Sequence, residues 1–242
     1  VKPITIMPKF SQTRNVRNFL VLMDGLSMGE GEGRFGVVFG RAGRGKTRTA
    51  QWYAARKGCV YLRVREVWDT SQLDFLRSLL RELGARESSI PHRKGPCFQA
   101  IVDRLLPSPR PIFIDELEKL PRKFLGIVRD ITDMTTAPII LVGEEGIYSH
   151  MKSSRRVWSR TWQQLEFEPI TAADTITYAR ETTGLAFSPA VAQIFINASG
   201  GDFRLVRRDI VNLVQLANAK QTTDVDEKLA QQACKVGLSG RS

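Results

Sequence analysis

Along the first two thirds of the chain, short apolar runs alternate with longer stretches of helical spacing. Val16, Phe19, Leu20, Met23 and Leu26 predict a helix over Thr13–Met28. An extended arm, Val1–Ser11, precedes it, and the Gly- and Glu-rich Gly29–Gly33 ends it. The run FGVVF places a strand over Arg34–Phe39. Cys59–Val64, Pro111–Ile114 and Pro138–Val142 read as further strands, and Leu165–Phe167 as a fifth. Between them a helix begins near Lys46. Ser71–Leu83 follows, with Ser71 and Asp74 as a capping-box-like start and Gly84 as its stop. Phe98–Leu106 is closed by Pro107 and Pro109, and Pro121–Asp133 is helical.

Strands that alternate with helices imply a parallel sheet covered on both faces. After Pro169 only helical spacing remains, over Thr171–Thr182, Ser188–Asn197, Asp202–Ala219 and Asp224–Lys235. Each segment opens on a capping residue, and Ser188-Pro189 is a cap followed by an N1 proline. The expected organisation is therefore an N-terminal arm and helix (1–33), an α/β core with a five-stranded parallel sheet (34–170) and a small all-helical lid (171–242).

No apolar run reaches the length of a membrane span, and Val1–Phe10 lacks a signal-peptide pattern. Cys59, Cys97 and Cys234 are odd in number and far apart. His92 and His150 have no cysteine at ligand spacing, so neither a disulfide framework nor a His/Cys metal site is indicated. A reducing, cytoplasmic setting is the expectation. The net charge of +11 adds a functional hint, because an excess of cations suits a polyanionic partner such as nucleic acid. A basic but inert surface is the alternative.

The specific chemistry sits after the first strand. Gly40-Arg41-Ala42-Gly43-Arg44-Gly45-Lys46-Thr47 fits G-x-x-x-x-G-K-[ST], between a strand and a helix as that mechanism requires. Glycines let backbone N–H groups curl around phosphate oxygens, and the helix N-terminus adds a favourable dipole. Lys46 can reach the β- and γ-phosphates of ATP, and Thr47 can ligate Mg2+. Pro111–Ile114 runs into Asp115-Glu116, which puts two carboxylates at the carboxyl edge of the sheet. Asp115 would hold magnesium through water, and Glu116 would polarise the attacking water. A buried strand followed by a charged cap is the plainer alternative.

Together these motifs and the helical lid resemble AAA+ ATPases. In that family a polar sensor ends the fourth strand; here Glu144 follows Ile139–Gly143 in place of the usual Asn or Thr. The resemblance assigns the arginine finger to Arg160, with Arg155 and Arg156 in the same predicted helix. It assigns the second sensor to Arg204 of Ser199–Arg204, with Arg207 and Arg208 close behind. A narrower likeness runs from about Phe10 to about Gly237. Arg93–Pro96, Ile147–Met151 and Ser159-Arg160 resemble the B-type target-selection ATPases of transposing phages such as Mu. That likeness implies ATP-dependent, non-sequence-specific binding of double-stranded DNA, self-assembly into a ring or helical filament, and stimulation of a transposase.

Arg63 and Arg65 after the second strand, Arg93 and Lys94 before the third helix, and Arg122 and Lys123 opening the next are the candidates for DNA phosphate contact. Solvated surface charge is the alternative for each. Trp52, Trp158 and Trp162 read as core or subunit-interface packing, whereas Trp68, just beyond Arg63 and Arg65, stays open as a base-stacking candidate. Two rival functions remain: a helicase-loader, replicase-loader or origin-binding ATPase, and a nucleotide-gated interaction module with little turnover.

Overall fold

The computed structural model describes residues 2–29, 34–68, 71–152 and 155–236; residues 30–33 and the side chain of His150 lie outside that description. The helices are α1 (Arg14–Met28), α2 (Lys46–Lys57), α3 (Gln72–Glu82), α4 (Lys94–Leu105), α5 (Leu125–Thr135), α6 (Ile147–Lys152), α7 (Arg155–Trp158), α8 (Ala172–Thr183), α9 (Pro189–Ser199), α10 (Phe203–Ala219) and α11 (Glu227–Val236). The strands are β1 (Phe35–Phe39), β2 (Val60–Arg63), β3 (Ile112–Asp115), β4 (Ile139–Val142) and β5 (Thr161–Glu166). Two compact units result. One comprises Phe19–Arg41 and Lys46–Glu166. The other comprises Val1–Asn18, Ala42–Gly45 and Phe167–Ser242.

The first unit is built on a five-stranded parallel sheet in the order β2-β3-β4-β1-β5. Every residue of β3 and β4 is buried, which explains why both read as continuous apolar runs rather than alternations. Helix α3 turns Phe75, Leu76, Leu79 and Leu80 inward, and α5 turns Leu125, Val128 and Ile131 inward. The sheet order sets the level of the strand ends. Val142 pairs with Asp115 on one side and with Val38 on the other, so β1 and β3 deliver their following loops to the same carboxyl edge.

Four segments of the first unit differ from the sequence reading. Strand β5 begins at Thr161, not Leu165. It is an edge strand whose alternate residues Trp162, Gln164 and Glu166 are exposed, so its only strong apolar signal came late. Helix α4 starts at Lys94, one turn before Phe98. Pro96 falls in its first turn, where its missing N–H costs no helical bond. A 3-10 turn, Arg122–Phe124, precedes α5 where one helix was expected. Helix α7 ends at Trp158, so Arg160 lies in the turn before β5 and not in a helix with Arg155 and Arg156.

Two tryptophans lie at opposite extremes of burial. Trp68 is 6% exposed and meets Phe75 edge-on at 5.9 Å, because the 3-10 turn Glu66–Trp68 folds it into the core. Trp162 is 61% exposed on the edge strand, which excludes the core half of its expected packing.

The second unit packs α8 to α11 around Tyr178, Phe187, Phe195, Ile210, Leu213 and Leu229. Its helices begin at the caps the sequence advertises: Thr171 and Asp174 form a capping box, and Ser188 accepts from Val191 N–H. At α11 the capping carboxylate is Asp226, which accepts from Leu229 N–H, and not Asp224. The N-terminal arm is tied to this unit. The Asn218 amide pairs with both the N–H and the carbonyl of Ile4, at 2.8 and 2.9 Å, and Met7 N–H donates to Thr182 O at 2.7 Å.

Strand β1, which feeds the phosphate loop, passes close beneath α1 at Gly36. A β-carbon there would lie 2.7 Å from Leu26 Cδ1 and 3.4 Å from Leu22 Cδ2. Gly36→Val should therefore overpack the contact and cost about 1–3 kcal/mol. Equilibrium urea unfolding measures it, and an unchanged midpoint would show that α1 yields freely.

Candidate nucleotide site

The loop after β1 has the backbone its sequence requires. Gly43 and Gly45 adopt φ of +82° and +95°, a region closed to most side chains. At Gly43 a side chain is excluded twice, because the Asp202 carboxylate occupies the space a β-carbon would need. Residues 42–45 belong to the same compact unit as α9 and α10. Phe203 N–H donates to Gly43 O at 3.0 Å, and Arg44 donates to the carbonyls of Gly200 (3.1 Å) and Gly201. Arg44 is thus 8% exposed with its guanidinium committed to the α9–α10 turn, which leaves its main chain for a phosphate. Arg41 and Ala42 are exposed.

Lys46 opens α2 and is almost buried. Its ammonium donates to the carbonyls of Gly40 (2.6 Å) and Arg41 (2.8 Å). A buried ammonium needs acceptors, and phosphate oxygens are stronger ones than these carbonyls.

At the end of β3, Asp115 is 2% exposed and both of its oxygens are engaged. Tyr61 Oη donates to Oδ2 at 2.6 Å, and Glu116 N–H donates to Oδ1 at 2.9 Å. Burial, followed by the hydrogen bond to Asp115, pushes the Tyr61 hydroxyl above its ordinary pKa. The next residue, Glu116, has left-handed backbone angles (φ 60°, ψ 45°), a strained conformation for a side chain of this kind. Its carboxylate is paired with Arg63 and, at 2.8 Å, with Lys119. Lys119 also reaches Glu66 at 3.2 Å. Burial works to raise the Glu116 pKa, but the hydrogen bonds from Lys119 and Arg63 and their charges outweigh it. The net position is below the ordinary carboxylate value.

Thr47 is the second residue of α2 and supplies a hydroxyl; Asp115 supplies a buried carboxylate. These are hard oxygen donors, the set that suits Mg2+ held with a nucleotide's phosphates. Among the described residues no cluster of three or more His, Cys, Asp or Glu side chains could hold a metal ion. A cation here would therefore depend on the phosphates as well.

The remaining sequence candidates fall in distinct places. Arg160 is held by Asp133 through two parallel hydrogen bonds, Nε at 2.8 Å and Nη2 at 3.0 Å. Arg155 and Arg156 are exposed. The Arg204 side chain is 70% exposed and lies 3.3 Å from the α10 cap, Asp202. Glu144 is exposed, with its N–H on the Glu118 carboxylate at 3.2 Å. Tyr148 packs edge-on against Trp158 and beside Phe39, the last residue of β1.

Among the basic candidates, Lys94 and Lys123 are brought together by Gln72. Its amide accepts from Lys94 Nζ (3.1 Å) and donates to Lys123 O (3.3 Å). Arg93 is the cap residue of α4, and Arg65, Arg93 and Arg122 are exposed. Arg63 is exposed too, but it is paired with Glu116. Sequence reasoning missed Tyr61, Lys119 and Gln72. Tyr61 and Arg63 share one face of β2, and Arg63 pairs in register with Asp115, a relation visible only once β2 is known to neighbour β3.

Comparison with known proteins places this geometry in context. Among solved structures, the Aeropyrum pernix ORC2 protein in ADPNP–ADP complexes is similar in fold, with a TM-score of 0.65 and 14% identity over 98% of this chain and 70% of that one. The Mu-like prophage FluMu DNA transposition protein B of Haemophilus influenzae is 26% identical over 179 residues, 70% of this chain and 61% of that protein. The ATP-dependent target DNA activator B of Escherichia phage Mu is 30% identical over 149 residues, 62% of this chain and 46% of that protein. The match thus spans between about half and three fifths of the length of these relatives. Among the described residues no helix is long and apolar enough to cross a membrane. The family model described as AAA domain matches residues 30–151, half of the chain and the part that carries both nucleotide motifs, and the chain belongs to that family.

Proposed function

We propose that this chain hydrolyses ATP, binds double-stranded DNA without sequence preference in an ATP-dependent self-assembly, and activates that DNA as a target for a transposase. The names of its relatives, a DNA transposition protein and an ATP-dependent target DNA activator, support the DNA and transposition parts. The observation that carries the reading is the state of Glu116. The carboxylate suited to polarise water is held by two cations, and one of them, Arg63, is also a candidate for DNA phosphate. A phosphodiester that draws Arg63 away leaves Glu116 with one partner fewer and more basic, so DNA contact promotes hydrolysis.

In the reaction, the N–H groups of Gly40–Gly45 cradle the phosphates, and Lys46 exchanges its loop carbonyls for β- and γ-phosphate oxygens. Thr47 and Asp115 would hold the Mg2+ that arrives with ATP, and that ion would supply neutralisation of phosphate charge. Glu116 accepts a proton from water as the water oxygen bonds to the γ-phosphorus. The bond to the β–γ bridging oxygen breaks, and ADP and phosphate leave. Arg204, and Arg160 donated by a neighbouring subunit, offset the charge that develops. For that role Arg160 must exchange Asp133 for phosphate.

Three outcomes test this reading. Glu116→Gln should bind ATP yet lose most turnover. Arg63→Ala or Lys119→Ala should raise turnover without DNA, and Arg63→Ala, but not Lys119→Ala, should shrink the stimulation by DNA. An exposed ion pair is worth about 0.2–1 kcal/mol, so each gain should be about 1.5- to 5-fold. Phosphate-release assays with and without plain duplex DNA measure both; unchanged ratios would remove Arg63 from the coupling.

DNA affinity should fall steeply with salt, with a log–log slope of about −0.9 per phosphate contact. Lys94→Ala and Lys123→Ala should each reduce that slope by about one contact. Fluorescence anisotropy across a salt series checks it, and a flat response would contradict phosphate binding.

Mixing Arg160→Ala with Lys46→Ala should restore hydrolysis above that of either variant, increasingly at higher concentration. Only interfaces pairing one of each rebuild a complete site. No rescue, with light scattering proving co-assembly, would return Arg160 to a structural pair with Asp133.

A further inference from the structure

Two alternate residues of β2 attend to the two carboxylates at the end of β3. Arg63 holds Glu116, and Tyr61 holds Asp115. The Tyr61 hydroxyl has no part in the scheme above. Tyr61 Oη lies 2.6 Å from Asp115 Oδ2 and 3.3 Å from Gln51 Nε2. The single phenolic proton goes to Asp115, so the Gln51 amide donates to the hydroxyl oxygen. Gln51 lies on α2 one turn after Thr47, on the same side of that helix. A chain of hydrogen bonds therefore runs from the helix that carries Thr47, through Gln51 and Tyr61, to Asp115.

Glu116 N–H fixes the other oxygen of Asp115 at 2.9 Å. One donor on each oxygen, and 2% exposure, leave the carboxylate plane no freedom to turn. Each oxygen keeps a further lone pair for a cation or its water.

We propose that Tyr61 is a positioning residue for the magnesium-side carboxylate: its hydroxyl, braced by Gln51, orients Asp115 relative to the helix bearing Thr47. The inference rests on the reading of Asp115 as the carboxylate that serves Mg2+. Groups of this kind orient the ligand they touch, and their removal costs about 10- to 100-fold in metal affinity. Tyr61→Phe keeps the ring and deletes only the hydroxyl.

The test is a Mg2+ titration of fluorescent ADP binding to the full chain, for the native protein, Tyr61→Phe and Asp115→Asn. Tyr61→Phe should bind the nucleotide normally without Mg2+, while its half-saturating Mg2+ concentration rises by about tenfold or more. Gln51→Ala should move the same quantity in the same direction by less. A merely structural role would instead weaken binding equally with and without the metal, and that result overturns the proposal. So does a native Mg2+ requirement in Tyr61→Phe when Asp115→Asn shows a raised one. If Asp115→Asn itself keeps the native requirement, the reading of Asp115 fails, and the assignment of Tyr61 falls with it. Thermal melts of the same samples establish that the variants are folded.

Discussion

Two adjacent carboxylates at the end of a buried strand are the constraint around which this site is arranged. Removing a carboxylate from water without hydrogen-bond partners is costly, so Asp115 at 2% exposure needs donors on its oxygens. Parallel pairing of β2 with β3 supplies them. Register puts Arg63 beside Asp115, and the alternation of β2 puts Tyr61 on the same face as Arg63. The chain then reverses at Glu116 through left-handed backbone angles, which directs its N–H back to Asp115. The 3-10 turn that follows brings Lys119 to the Glu116 carboxylate. Sheet order, backbone strain and ion pairing thus answer one electrostatic demand.

The phosphate loop answers the opposite demand. It must keep a cation and a set of N–H groups ready for an anion. Lys46 is nearly buried and held by the loop's own carbonyls, contacts that phosphate oxygens can replace. The neighbouring Arg44 is not available in that way. Its guanidinium lies on the carbonyls of Gly200 and Gly201, where the end of α9 presents acceptors that lack helical partners. Two basic residues in one motif therefore divide the work: Lys46 for exchangeable acceptors, Arg44 for fixed ones. Gly43 lets the cap of α10 come against the loop, which ties loop tip and helical unit into one compact body.

Most of the fold was legible because its signals are local. The G-x-x-x-x-G-K-T motif, the buried strands β3 and β4 and the caps of α8 to α10 each state their conformation within a few residues. The misread segments have non-local causes. Strand β5 is an edge strand, so half of its residues are free to be polar. Trp68 is buried and Trp162 is outside the core because burial is decided by which strand lies at the edge and which turn folds inward. Tyr61, Lys119 and Gln72 escaped notice for the same reason. Their importance comes from partners 54, 3 and 22 residues away, and only the nearest of these is set by local spacing.

The partnership of Arg63 with Glu116 also fixes the sign of any coupling between a polyanion and the carboxylate. A guanidinium nitrogen committed to one carboxylate oxygen cannot serve a second anion fully at the same time. Its 58% exposure makes the pair weak enough for a phosphodiester to compete. Lys119 remains after Arg63 departs, but it is shared with Glu66 and offers a single point charge rather than a planar fork. Loss of Arg63 therefore raises the basicity of Glu116 without leaving a bare charge behind. A fully buried pair would have been too costly to separate, and a fully solvated one would have held nothing back. The intermediate burial of Glu116, with a 19% exposed side chain facing a largely exposed partner, lies in the range where exchange of partners can regulate a carboxylate.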